Sequence, residues 1–329
     1  MARPDSSRRH AAKPAEARSV GATPECIWTV VVNWRQTAAT LTCLASLERA
    51  GANLDTVVVV DNEAQGDLER QLRVSYPNVA VLAQSANLGF ATAVNIGAHY
   101  ALARGATAIL LLNNDAELEP GAMDNLAATL ASEPEVGVLT AKVYLAATPD
   151  RLWAIGGVYT GDRVIEIGAG ERDVGAYDDA RLDFVYGCAM VVRAEVFRDI
   201  GGFDERYFLY YEDIDLCLRA QEAGWRVAMA PNARVHHEGS RSTRREPTIK
   251  VYHHARSRLL FFSRHLRASR ATFTMTEAAF VARRVGAHLL SGEVSNAVAY
   301  VRGTVDALRM ARSRRAQQAA VVRGRRAEP

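Results

Sequence analysis

The sequence predicts an α/β protein built on a largely parallel sheet, and three observations predict it. Short continuous apolar runs rich in Val, Ile and Leu recur along the first half. Segments of helical spacing lie between them. Polar residues follow several of the runs immediately. A strand buried on both faces shows no polar alternation, so such runs separated by helices indicate parallel strands covered on both sides. Ligands in open α/β sheets bind at the carboxyl ends of the strands, where these polar residues stand.

Taken in order, Ile27 to Val32 is an apolar, β-branched strand. Thr37 to Ala50 carries Leu41, Leu44 and Leu47 at helical spacing. Val57 to Val60 is a second buried strand, stopped by Asp61-Asn62, and Val79 to Leu82 is a short third. Ala91 to Arg104 reads as a helix ended by Gly105. Ala108 to Leu112 is a strand stopped by Asn113-Asn114-Asp115, followed by a helix over Met123–Ser132 and a strand over Val136–Val143. Residues 150–182 are rich in Gly and Asp and predict short strands and loops. Phe184 to Val192 is a strand containing Gly187, and Ala194 to Ile200 a short helix before the Gly201-Gly202 turn. A helix opening near Tyr211 runs to Ala223 and is ended by Gly224, with a strand over Trp225–Met229. Beyond residue 248 the pattern is helical and basic.

The 329 residues, 49% of them hydrophobic, are those of a globular protein. The net charge of +3 averages two unlike parts. Residues 241–329 hold 19 Lys/Arg against 5 Asp/Glu, whereas residues 27–240 hold 16 against 29. No run of 18 apolar residues predicts a membrane span, and the Arg-, Ala-, Ser- and Pro-rich residues 1–26 lack the apolar centre of a secretory signal. Cys26, Cys43, Cys188 and Cys217 have no CxxC spacing and read as reduced, packed thiols of a cytosolic protein. GxGxxG and GxxxxGK[ST] are both absent, so neither a dinucleotide fold nor a P-loop is indicated.

Three clusters carry candidate chemistry. Glu212-Asp213-Ile214-Asp215 places three carboxylates at a helix start, beside Tyr207, Tyr210 and Tyr211. Carboxylates cap helix N-termini, but one suffices for that. Helical geometry puts 212 and 215 on one face and 213 on another, so one acid can face a substrate while the others hold the loop. Asn113-Asn114-Asp115 closes a buried strand, where an acid forms turns or reaches a divalent cation bound to phosphates. His236-His237 lies just past another strand-like segment, either as surface residues or as ligands. Asp115, His237 and a diphosphate would complete a metal shell.

With these residues in view, the chain resembles the inverting family-2 glycosyltransferases of GT-A fold, in particular their bacterial rhamnosyltransferase-like branch. The resemblance covers about residues 27–262. It rests on Val30-Val31-Val32-Asn33-Trp34, Val60-Asp61-Asn62, and Asn87-Leu88-Gly89-Phe90-Ala91 with Asn95 and Gly97. It continues in Leu112-Asn113-Asn114-Asp115, in Gly201-Gly202-Phe203-Asp204-Glu205 with Tyr211 to Cys217, and in Ala233 to His237 with Ser240, Ser242 and Thr243. It implies a Rossmann-like mixed sheet flanked by helices, with a basic helical extension. Residues 1–26 are then a leader, 27–245 the catalytic domain (27–115 the nucleotide half, 116–245 the acceptor and catalytic half), and 246–329 the extension.

The resemblance also implies roles. Asp213 is the expected general base, supported by Glu212. Val32, Asn33, Asn113 and Asn114 are expected at the nucleotide, with Asp61 on a pyrimidine base and Asn87, Gly89 and Asn95 shaping the loop against it. Asp115 and His237, with His236 as the alternative, are expected to hold Mg²⁺ or Mn²⁺ on the donor diphosphate. Asn113 stands where many relatives carry Asp, so this shell has fewer carboxylates. The implied activity is sugar transfer with inversion from dTDP-rhamnose or a UDP-sugar to a glycan or lipid-linked acceptor, in cell-surface polysaccharide or glycolipid synthesis. A non-catalytic nucleotide-sugar-binding partner in a glycan-assembly complex is the alternative.

The basic segment interleaves Arg256, Arg258 and Arg264 with Leu259, Leu260, Phe261 and Phe262. Such a surface meets anionic lipid or a lipid diphosphate at the inner face of the cell membrane, unless it is simply a solvated helix face. No nucleic-acid-binding motif accompanies the charge, and no nucleic-acid partner is expected.

Overall fold

The computed structural model describes residues 26–63, 67–239 and 246–325. The expected leader, Cys26 apart, lies outside them, as do Ser240, Ser242 and Thr243. The chain alternates β1 (Ile27–Asn33), α1 (Thr37–Arg49), β2 (Val57–Asp61), α2 (Asp67–Ser75), β3 (Ala80–Ala83), α3 (Phe90–Leu102) and β4 (Ala108–Asn113). It continues through β5 (Ala116–Leu118), α4 (Ala122–Ser132), β6 (Val136–Leu145), β7 (Thr148–Leu152) and the two-stranded hairpin β8 (Gly156–Tyr159) and β9 (Val164–Ile167). After these come β10 (Ala189–Arg193), α5 (Ala194–Ile200), α6 (Glu212–Glu222), β11 (Arg226–His237), α7 (Pro247–His265), α8 (Arg270–Leu290) and α9 (Val294–Arg325).

The sheet runs β3-β2-β1-β4-β10-β6-β11-β5, with β7 on β6. Strands β3, β2, β1 and β4 are parallel as the pattern predicts, but β10 is antiparallel to both neighbours and β5 is antiparallel to β11. Periodicity does not reveal direction here, because Ala189–Arg193 is buried throughout, like the parallel strands beside it. The strand expected from Phe184 forms only from Ala189, because the Gly187 N–H turns aside to Asp213. The strand expected to stop at Met229 instead reaches His237. Its register shifts between Ala230 and Arg234, across Pro231, which has no N–H for the ladder.

Alternate residues of each strand feed opposite faces. Val58, Val60, Ile109 and Leu111 pack with α3 and α6 on one side. Val57, Val59, Leu110 and Leu112 pack with Leu44, Leu47, Leu68, Leu72 and Leu126 of α1, α2 and α4 on the other. Complete burial of each such side chain stabilises the fold by about 1.5–3 kcal/mol.

Helix α7 is bound into this body. Phe261 and Phe262 are buried beside Tyr159 and join the first core. The Tyr159 hydroxyl donates to the His265 carbonyl at 2.8 Å, and the Ser257 hydroxyl to the Leu209 carbonyl at 2.8 Å. The expected division at residue 245 therefore falls before a helix that shares the core of the preceding part. Among the described residues, no helix is long and apolar enough to cross a membrane.

Candidate active site

A cavity of about 680 Å³ opens at the carboxyl ends of β1, β2 and β4, a size suited to a nucleotide-sized ligand. Its nucleotide-side wall contains Val32, Trp34, Asn62, Asn87 and Gly89. Asn62 organises this wall. Its amide donates to Asn87 Oδ1 at 2.9 Å and to the Gly89 carbonyl at 3.2 Å, while its Oδ1 accepts from the Leu88 N–H at 2.9 Å. Gly89 caps α3 with φ +84°, and a Cβ there would lie 2.6 Å from the Phe208 carbonyl oxygen, so only glycine fits.

Three expected nucleotide residues do not reach the wall. Asn33 and Asp61 are buried and bond each other, Nδ2 to Oδ1 at 3.0 Å, fastening β1 to β2 behind it. Asn95 lies on the buried face of α3 and pins the Gly202–Glu205 segment by accepting from the Phe203 N–H and donating to the Phe203 carbonyl, both at 2.9 Å. Asn113 and Asn114 line the cavity. Asn114 also donates to Thr40 Oγ1 at 3.1 Å, which in turn donates to Asn33.

Asp115 and His237 come together in the cavity wall. His237 Nε2 stands 3.0 Å from Asp115 Oδ1 and 3.3 Å from the Asn113 amide nitrogen, and both residues are buried. Alternation along β11 sends His236 the other way, where it meets Glu119 at 2.6 Å outside the cavity. Among the described residues, no group of three or more His, Cys, Asp or Glu side chains could hold a metal ion. One carboxylate and one imidazole suit Mn²⁺ or Mg²⁺ only when phosphate and water oxygens fill the remaining positions.

Glu212 and Asp213, on the first turn of α6, line the same cavity. Tyr211 precedes them at φ +68° and turns the chain so that both adjacent carboxyls face inward. Asp215 points away. It is fully buried and meets Arg219 Nε at 2.6 Å and His265 Nε2 at 2.7 Å. The helical-face expectation, which paired 212 with 215, is thus corrected: at a helix start the entry of the chain decides where the first side chains point. Asp213 accepts from the N–H groups of Gly187 at 3.1 Å and Ile214 at 2.8 Å. Burial raises its pKa, and these bonds work against that rise. Glu212 is held well above the usual range by burial and by the Asp213 charge, and its Oε2 has no hydrogen-bond partner among the described residues. Of the two, Glu212 is pushed up further, and the N–H bonds favour the ionised form at Asp213.

The profile described as glycosyltransferase-like family 2 matches residues 24–259. The chain belongs to glycosyltransferase family 2. Among curated relatives, N-acetylglucosaminyl-diphospho-decaprenol L-rhamnosyltransferase of Mycobacterium tuberculosis is 31% identical over 248 residues, 67% of this chain and 78% of its own. The dTDP-rhamnosyl transferase RfbF of Shigella flexneri is 25% identical over 57% of this chain and 62% of its own. The mannosyltransferase PcManGT of Pyrobaculum calidifontis, solved with GDP-Man and Mn²⁺, superposes with a TM-score of 0.54 at 13% identity, covering 87% of this chain and 88% of that one. The fold of this family-2 glycosyltransferase is GT-A.

Several wall residues of the glycosyltransferase carried no signal that stood out in the sequence. Trp153 follows β7, Glu166 lies on β9 and Tyr186 stands just before β10, while His253 and His254 come from α7. The His253 ring stacks on Phe208 at 4.3 Å, and burial pushes both histidines down to about 4, so both are neutral at pH 7. The spacing 249, 253, 254, 258 on a predicted helix would have marked one face, but not what that face meets.

Proposed function

We propose that the protein transfers a sugar, with inversion, from dTDP-rhamnose or a UDP-sugar to a glycan or lipid-linked acceptor in cell-surface polysaccharide or glycolipid synthesis. One observation carries this reading: the Glu212–Asp213 pair faces the same cavity as Asp115 and His237. Asp213 takes the proton of the acceptor hydroxyl, the freed oxygen bonds to the anomeric carbon, and the nucleoside diphosphate departs from the opposite face. Glu212 stays protonated and offers a hydrogen bond to the incoming oxygen. Asp115 and His237 are the residues that would hold Mn²⁺ or Mg²⁺ on the diphosphate. When bound, the ion would neutralise the leaving group's charge. Val32, Trp34, Asn62, Asn87, Gly89, Asn113 and Asn114 hold the nucleotide, with Asn33 and Asp61 supporting them from behind. The rhamnosyl donor and lipid-linked acceptor are supported by the likeness to the two rhamnosyltransferases, one of which is named for a diphospho-decaprenol acceptor.

The reading extends to peripheral contact with an anionic membrane through α7–α9. It is supported by a stripe on α9, Val294, Val298, Val301, Val305 and Leu308, all 37–58% exposed. That helix also carries seven arginines and one aspartate.

Release of nucleoside diphosphate from a panel of UDP-, dTDP- and GDP-sugars tests the activity. Asp213→Asn is expected to lower transfer by ~10²–10⁴ or more while leaving nucleotide affinity near wild type. Transfer at the wild-type rate would remove Asp213 from the role. The non-catalytic alternative predicts tight binding without turnover for every donor.

A further inference from the structure

We propose that Glu166, Tyr186 and Trp153 form a subsite for a neutral pyranose ring of the acceptor, beside Asp213. The proposal rests on the transfer reading above and names the acceptor's chemistry. It starts from two glycines. A Cβ on Gly156 would lie 2.2 Å from the Phe184 carbonyl oxygen, and one on Gly157 would lie 2.1 Å from that of Ile165. Only Gly-Gly lets the β8–β9 hairpin press against the chain at Phe184, where the Gly157 N–H donates to the Phe184 carbonyl at 3.0 Å. The Tyr159 N–H fastens the same hairpin to Asp183 Oδ2 at 2.9 Å. The hairpin is therefore a fixed wall of the cavity, and it carries Glu166.

Tyr186 lies two residues beyond this contact and donates its hydroxyl to Glu166 Oε1 at 2.6 Å. The Trp153 ring stands edge-on to Tyr186 at 5.1 Å and to His237 at 4.9 Å. All three side chains line the cavity. A tie between hairpin and strand would need no carboxylate at the cavity surface, nor two large aromatic rings beside it. Together they offer what a sugar ring needs: an anionic acceptor for hydroxyls and flat apolar surface for its C–H faces.

The position favours the acceptor over the donor sugar. Tyr186 adjoins Gly187, whose N–H holds Asp213, and Asp213 receives the acceptor's proton in the transfer reading. The charges select as well. Glu166 and Asp213 line the same pocket, so an anionic uronosyl ring would meet two carboxylates, and a neutral ring is favoured.

Saturation-transfer NMR on the full chain, with Mn²⁺ and UDP or dTDP present, tests this with methyl glycosides of rhamnose, glucose, N-acetylglucosamine and glucuronic acid. At least one neutral glycoside is expected to bind, and the glucuronide to bind about tenfold more weakly or not at all. Glu166→Gln is expected to weaken the neutral glycoside by about tenfold, with Tyr186→Phe in the same direction. Melting temperature and calorimetric nucleotide affinity should stay at wild-type values. Three results overturn the proposal: no neutral glycoside binds, binding persists unchanged in Glu166→Gln, or nucleotide-sugar affinity falls instead. If glycosides bind as expected but no donor is turned over, the subsite stands and the transfer reading fails.

Discussion

In the proposed transfer, the chemistry turns on two adjacent carboxyls, Glu212 and Asp213. Burial raises both pKa values, but two backbone N–H bonds keep Asp213 the more acidic, while Glu212 is left with an oxygen unpartnered among the described residues. The consequence for stability has a definite sign. Unfolded Glu212 ionises near 4.5, whereas folded Glu212 keeps its proton to higher pH. Over that window the unfolded state binds fewer protons, so stability falls as pH rises. Glu212→Gln removes this loss and is expected to raise the melting temperature at pH 8 but not at pH 4. Scanning fluorimetry at the two values checks it, and an equal shift at both would contradict the assignment. In the same cavity, Asp115→Ala is expected to remove most of the Mn²⁺-dependent part of donor affinity. Calorimetry with and without Mn²⁺ reads this directly, and an unchanged metal effect would take Asp115 out of the shell.

Among the elements, α7 departs most from what its sequence announces. Its arginines read as a solvated or lipid-facing surface, yet one face enters the core through Leu260, Phe261 and Phe262, and the same face two turns earlier supplies His253 and His254 to the cavity wall. Asp215 and His265 join its last turn to the first turn of α6, so the helix that carries Asp213 is braced from the C-terminal part. Phe261→Ala is expected to cost about 3–5 kcal/mol, since Phe261 is fully buried among Tyr159, Tyr211 and Phe262. Thermal or urea unfolding measures it. A cost below 1 kcal/mol would mean that α7 is only loosely laid against the body.

For the whole molecule, the proposed membrane contact of α9 is tested by the sign of the charge it should require. Its exposed stripe has the spacing of a coiled-coil seam, but two such arginine-rich helices would repel, and an anionic bilayer would not. The full chain is expected to co-sediment with vesicles of phosphatidylglycerol and phosphatidylcholine, and not with phosphatidylcholine alone. Val298→Glu with Val305→Glu should abolish this while preserving donor turnover. Concentration-dependent dimerisation without vesicle binding would assign the stripe to a second copy instead.

The carboxyl ends of β1, β2 and β4 followed from the sequence by itself, because their buried apolar runs end where polar residues begin, and ligands meet parallel sheets there. Asn87, Gly89, Asn113 to Asp115, Glu212, Asp213 and His237 were legible in this way, or through family motifs, and all of them line one cavity. Tertiary structure alone decided the rest. It turned β10 antiparallel, because burial on both faces carries no direction. It set Asn33, Asp61 and Asn95 to fastening the backbone, since a polar residue beside a site reads the same whether it faces the ligand or the chain. It also brought Trp153, Glu166, Tyr186, His253 and His254 to the wall from stretches without a motif. Local pattern records how each segment buries its own apolar face, whereas a cavity is made of faces from distant segments, and only their packing puts them opposite one another.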